Sequence, residues 1–493
     1  MNQSNDPPSA AEFWRNTGAK RLRVICASEA GTNRRGDQQD TDSARKGLEA
    51  EFEAIGSMVS ALRSHYNTLS YINRLPTEML VRIFVALRHL EPLEDKIRFI
   101  SKARLYTDGR NLIGWLKVTH VCQQWRQAAL AYPRLWSDIT FSLGPQWRDA
   151  MLSRSRAVPI SMTIRRFGHT STTPDREQQD TMYVISRHLE RTRHLHLSVP
   201  PDDWEPIIPL LCHRAPVLED VRLVVGDAGS SLHLPSGIFG QHAPNLHRLN
   251  VFGWHISWSA LTFNLVELRL GRIRDGAAQR HPLRDFREFL DAMQRLPMLE
   301  VLELECVLPT LPSTVTLETP YGPVINLPRL KSLKLYDDIL ACALALKHLS
   351  LPSTAEQAIQ CQLDETAEGH VEFIFPWLDS RLKSSSITGL WMSDLLAGDG
   401  IYIFAWDRCI WKDDDHGYPQ VHPDTPPVLN LTVFASTTQD SVPHIIRTIC
   451  RKLPLTDLSV LSITSGATWE TQHWFDAFGQ LEKVTQNANA SGG

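Results

Sequence analysis

The chain has 493 residues, 42% apolar and 22% charged, the balance of a folded globular protein with room for several domains of roughly 150 residues each. Its net charge of −4 and pI near 6.6 give no bulk electrostatic case for nucleic acid or an anionic membrane surface. The eight cysteines include no CxxC pair, no secretory signal is visible, and no apolar run approaches the ~20 residues of a membrane span. These features point to reduced thiols in the cytoplasm or nucleus.

Residues 1–42 are rich in Ser, Asp, Asn and Gln and read as a disordered polar tail. Over 43–70, Leu48, Phe52, Ile55, Val59, Leu62 and Tyr66 recur at spacings of 4, 3, 4, 3 and 4, which predicts a heptad-like amphipathic helix. With fewer than three heptads, the stripe fits a coiled-coil seam and fits equally a helix packed on its own protein.

Residues 71–141 carry two apolar stripes. Pro76 suits a helix start, where its missing N–H costs nothing, and Leu80, Ile83, Phe84 and Leu87 then line one helical face. A second helix is predicted to offer Val118, Val121, Cys122, Trp125, Ala128 and Ala129. Pro133 ends it, and Leu135 and Trp136 follow on an extended exit. A unit this small buries at most about 60% of its surface, so part of this apolar area is expected to face a partner. Between the stripes lies a charged stretch, 88–111, which reads as a solvated insertion.

From 142 to 484 one pattern returns: an apolar residue, two others, an apolar residue, one other, an apolar residue. It appears as LEDVRL (218–223), LHRLNV (246–251), LVELRL (265–270), LEVLEL (299–304), LKSLKL (330–335), LKHLSL (346–351), ITGLWM (387–392), VLNLTV (428–433) and LSVLSI (458–463), with TRHLHL (192–197) a weaker member. Pro216, Pro244, Pro297 and Pro328 each precede a copy by two residues, where they stop the preceding element and leave the chain extended. Amphipathic helices are predicted between copies, for example over LRDFREFLDAMQRL and SVPHIIRTICRKL. This is the sequence mark of leucine-rich repeats, whose units stack because none can bury its own leucines. The irregular spacing leaves open an α/β domain with ordinary Leu-rich strands. Residues 352–427 fit the pattern worst, with the acidic segment Asp413–His416 as an excursion, and residues 485–493 read as a second disordered tail.

LPTEMLVRIF followed by VTHVCQQWRQAALAYPRLW resembles the F-box motif. The Gly114-Trp115 pair ahead of Val118, with Asn67, Ile72, Leu75 and Pro76 on the approach, is similar to the F-box proteins expanded in mushroom-forming fungi. The resemblance implies an α/β protein: an N-terminal helical F-box, then an irregular leucine-rich-repeat solenoid with parallel strands and flanking helices. It implies docking on a Skp-type adaptor of a cullin–RING ubiquitin ligase, with the repeats selecting an unknown protein target. Carried over by position, Leu75, Pro76, Glu78, Leu80, Ile83, Phe84, Val118, Cys122 and Trp125 should form the adaptor-facing surface, with Leu135 and Trp136 at its exit. Phe84 and Trp125 are the expected hot spots. The alternative is an interaction scaffold that binds without a cullin.

Strand alternation turns the residues between the repeat leucines outward. The expected target face therefore carries Arg222, Arg248, Asn250, Phe252, Arg269, Glu303, Lys334 and Tyr336, with Asp220, Glu267 and Glu305. Its mixed charge favours a protein partner over nucleic acid. Trp391, Trp469 and Trp474 read as core. Neither phosphate-binding nor dinucleotide-binding glycine patterns occur, and no Cys/His set has zinc-ligand spacing. The expectation is a non-enzyme with no cofactor, no metal and no membrane partner.

Overall fold

The computed structural model describes residues 9–32, 38–93, 97–100, 103–106, 113–141, 143–165, 174–226, 232–261, 264–272, 286–309, 311, 315–363, 370–383, 385–393, 400–408, 411–413, 419–421, 426–434, 442–464, 471–479 and 486–488. The chain divides into two compact units, Met1–Leu135 and Trp136–Gly493.

The first unit is mainly helical: α1 (Ala10–Thr32), α2 (Gln38–Thr68), α3 (Thr77–Leu90) and α4 (Gln123–Ala131). Part of the expected disordered tail is thus a helix. Its start is written in Ser-Ala-Ala-Glu: the Ser9 hydroxyl accepts the Glu12 N–H at 3.3 Å, and the Glu12 carboxylate accepts the Ser9 N–H at 3.1 Å. This reciprocal capping box satisfies two of the donors a helix start leaves open. Arg21 of α1 pairs with Glu51 of α2. Within the 88–111 insertion lie the end of α3 and an antiparallel pairing of Ile97–Ile100 with Ala103–Tyr106.

The second unit is built on one 14-stranded sheet. Nine strands follow in chain order: β1 (Asp138–Thr140), β2 (Ile160–Arg165), β3 (Thr192–Val199), β4 (Asp220–Val225), β5 (Arg248–Phe252), β6 (Glu267–Gly271), β7 (Val301–Glu305), β8 (Ser332–Asp338) and β9 (Glu356–Gln362). Each pairs parallel with the next. The remainder are β10 (Gly389–Ser393), β11 (Gly400–Trp406), β12 (Leu429–Phe434), β13 (Val460–Thr464) and β14 (Gln486–Ala488). Beyond β9 the spatial order is β12, β11, β10, β13, β14, and β11 runs antiparallel to both of its neighbours. Helices α5 (Pro145–Arg154), α6 (Pro174–His188), α7 (Trp204–Leu211), α8 (Phe286–Gln294), α9 (Ile339–His348), α10 (Phe375–Leu382), α11 (Val442–Cys450) and α12 (Thr471–Phe478) connect the strands.

The recurring pattern has a direct structural meaning. In eight of its copies the last apolar position lies on a ladder across twelve strands, joined by Leu431, the middle position of VLNLTV, and by Ile164, Ile359 and Ile403 from strands without a copy: Ile164, Leu197, Leu223, Val251, Leu270, Leu304, Leu335, Ile359, Leu431, Ile403, Met392 and Ile463 are successive register partners. All twelve are buried. A side chain buried there gives roughly 1.5–3 kcal/mol relative to exposure, so the ladder is a large part of what holds the sheet. The prolines play a sharper role than stopping the preceding element. Leu218, Leu246, Leu299 and Leu330 donate their N–H to the carbonyls of Ala215, Ala243, Leu296 and Leu327. Each proline is therefore the second residue of a four-residue turn, a place its fixed φ favours.

Three expectations need correction, on LKHLSL, the C-terminal tail and Trp391. LKHLSL does not join the main sheet: Leu346 lies in α9, and Leu349–Ser350 pairs with Ile325–Asn326 in a separate two-stranded sheet. Strands β9 and β11 belong to the sheet without matching the pattern. Residues 486–488, expected in a disordered tail, form β14 beside β13. Trp391 sits on the face away from the ladder rather than in the core, against the Phe404 ring at 5.5 Å. Trp469, the side chain of Trp474 and residues 414–416 lie outside the described residues.

Candidate functional site

Helix α3 begins after Pro76, whose φ of −55° suits the turn into a helix, and carries Glu78 in its first turn and Arg88 and His89 in its last. Those charges sit at the ends where the helix dipole favours them. Its inner face buries Leu80, Val81 and Phe84. The expected second helix is two segments: a 3₁₀ stretch, Gly114–His120, then α4, with Cys122 between them in an extended conformation (φ −157°). The tighter 3₁₀ winding buries Trp115, Leu116, Val118 and Thr119 together.

Two residues lock this module. Asn73 donates its amide N–H to the Asn67 carbonyl at 2.7 Å, its side-chain oxygen accepts the Trp125 indole N–H at 2.7 Å, and its carbonyl accepts Gln124 Nε2 at 3.0 Å. Trp125 is thereby held half-buried, with its ring 5.2 Å from that of Phe84. Gly114 has φ +39°, and a Cβ there would lie 2.5 Å from the Pro92 carbonyl oxygen. Only glycine lets the chain pass so close while Trp115 N–H donates to the Glu91 carbonyl at 2.9 Å. The Gly-Trp pair is thus a packing device joining the end of α3 to the 3₁₀ segment.

This geometry divides the predicted adaptor-facing residues. Leu80, Phe84, Val118, Leu135 and Trp136 are almost fully buried. Each is interior rather than surface within its own unit. Leu75, Cys122 and Trp125 are half-buried, while Pro76, Glu78 and Ile83 are exposed. Trp136 opens the second unit, where the Arg154 guanidinium lies 4.3 Å over its ring. Of the apolar surface that α3 leaves exposed, the sequence reading singled out Ile83 alone. Met79 (44% exposed), Ile83 (42%), Ala86 and Leu90 (79%) recur at 4, 3 and 4 along α3 and form one exposed stripe beside the buried face. The signal was present as a second period on the same helix, outweighed by the Leu80–Phe84 stripe.

In the second unit the predicted target residues share the face opposite the ladder, and the charged ones on neighbouring strands pair in three places. Arg248 Nε is 2.9 Å from Asp220 Oδ2, Arg269 pairs with Glu267 and lies 2.7 Å from Glu303, and Lys334 lies 2.8 Å from Glu305. Burial raises the Asp220 carboxyl, but hydrogen bonds from His196 and Arg248, with their charge, hold it below its ordinary value. Phe252 packs over Gly271, where a Cβ would meet its ring at 2.4 Å. Tyr336 meets Phe434 at 5.2 Å, and beyond it Tyr402, Phe404 and Trp391 continue the same face. The face thus changes from ion pairs on β4–β8 to aromatic rings on β8–β12.

Among the described residues, no three His, Cys, Asp or Glu side chains are grouped to hold a metal ion, and no helix is long and apolar enough to cross a membrane. A comparison with curated proteins finds no match. Residues 72–142, the segment built around α3, the 3₁₀ stretch and α4, match the model of the F-box-like family, and this part of the chain is an F-box-like domain.

Proposed function

We propose that the chain is the substrate-receptor subunit of a Skp–cullin–F-box ubiquitin ligase. The observation that carries the reading is the F-box-like domain at 72–142, a type of domain that generally binds Skp-type adaptors, with an exposed apolar stripe on its first helix. Met79, Ile83 and Leu90 are the adaptor-facing groups in this reading, flanked by Pro76 and Glu78; Phe84 and Trp125 support them from within. The register of Leu-rich parallel strands supports describing the sheet as an irregular leucine-rich-repeat array. Its outer face, from Arg222 to Tyr336, takes the protein target. The chain supplies no catalytic group; it raises the concentration of the target near the ubiquitin-carrying machinery, in the cytoplasm or nucleus.

The test is co-purification of the full chain with a Skp-type adaptor. Met79→Glu/Ile83→Glu places two charges on the stripe without touching the buried face. Loss of a central anchor pair costs about 2–4 kcal/mol, so affinity should fall roughly 30- to 1,000-fold with unchanged circular dichroism. Undiminished binding by the folded variant, or none by the wild type, would sink the reading. Cullin in the same precipitate separates a ligase subunit from a scaffold.

A further inference from the structure

Helix α2 carries Leu48, Phe52, Ile55, Val59, Leu62 and Tyr66 at heptad spacing, and all six are exposed, Phe52 at 71% and Tyr66 at 75%. The rest of the first unit leaves this seam uncovered: α1 meets α2 through the Arg21–Glu51 ion pair. A seam of six large apolar groups on one face of a 31-residue helix is the surface a second helix covers.

We propose that the seam pairs with α2 of a second copy of this chain, antiparallel and two-fold symmetric. The charges beside the seam select that arrangement. In the antiparallel register each layer joins one copy's residue to the second copy's residue with which its number sums to 114: Leu48 with Tyr66, Phe52 with Leu62, Ile55 with Val59. Every layer then sets a larger group against a smaller one. Flanking the layers, Glu49 falls beside Arg63 of the second copy, and Glu51, already on Arg21, falls near His65. The central flanking positions are Gly56 against Gly56 and Met58 against Met58. A parallel pair would instead stack Phe52 on Phe52 and Tyr66 on Tyr66. Its flanking pairs would be Glu51 with Gly56 and Met58 with Arg63, none of opposite charge. An isologous pairing of this kind closes at two copies.

Light scattering of the eluting full chain should give twice the 55.8 kDa chain mass at tens of micromolar. Ile55→Glu/Leu62→Glu should return it to monomer with unchanged helicity, since both side chains are on the surface. In a Cys26→Ser background, Met58→Cys should cross-link to itself under mild oxidation, identified by its peptide. Phe52→Cys should not, because two copies of residue 52 would lie about 15 Å apart along the pair. A wild-type monomer, or cross-linking of residue 52 but not 58, would overturn the proposal.

Discussion

His188 and His194 are two half-buried imidazoles that the second unit keeps neutral. Arg191 Nε donates to His188 Nδ1 at 3.2 Å, so that nitrogen must be an acceptor. Burial first, and then the charges of Arg191 and Arg187, push the His188 pKa down. His194, with Ser161 Oγ 3.0 Å from its Nδ1, is likewise lowered, chiefly by burial; attraction from Asp220 and Glu219 only partly offsets this. A histidine with a lowered folded pKa takes up a proton more readily unfolded, so stability is intact above the unfolded value near 6.5 and is lost as pH falls toward the folded value. Urea unfolding at pH 7.5 and 5.5 should show lower stability at the acid end. His188→Gln/His194→Gln should flatten the difference, and an equal slope in the variant would refute the assignment. Asp220 acts in the same sense at lower pH, below the ordinary carboxylate range, where protonation frees Arg248 and His196.

At the scale of elements, the sheet was legible where all three apolar positions of the template were filled, and lost where one of them was not. In β9 the position in register with Leu333 is Gln357, which breaks the apolar pattern; its side-chain oxygen instead accepts the Trp377 indole N–H of α10 at 2.8 Å. Removing one partner strands the other. Gln357→Leu should therefore cost about 1–2 kcal/mol, and pairing it with Trp377→Phe should recover most of that loss in a double-mutant cycle. Additive costs would show that the hydrogen bond is not what holds Gln357 there. Strand β11 escaped notice because Gly398 stands where the template needs an apolar residue three positions before Ile401. LKHLSL misled for the opposite reason: its leucines satisfy a helical period as well as the strand template, and α9 took the first of them. In the F-box-like domain the sequence showed which segments make up the module. It did not show which side of α3 would be left outside, because that depends on how the 3₁₀ stretch seats Trp115 and Leu116.

Across the second unit, the ladder of inward residues makes stability depend on neighbours. Strands β10 and β11 pair with each other but are held between β12 and β13. A chain ended at residue 408 leaves that hairpin with neither flanking strand and exposes the edge of β9. It should aggregate, scattering light at concentrations where a chain ended at 464 remains dispersed; equal behaviour would mean that the first nine strands are self-sufficient. The skip from β9 to β12 has a further consequence, in time. During synthesis each strand from β2 to β9 emerges beside a neighbour already made, but β9 must wait for Leu429–Phe434 while β10 and β11 emerge first. At about 5–20 residues per second that wait lasts several seconds. Through it the newest edge of the sheet stands open on the ribosome, and slower synthesis across residues 363–428 would prolong the moment at which the nascent chain most needs a chaperone.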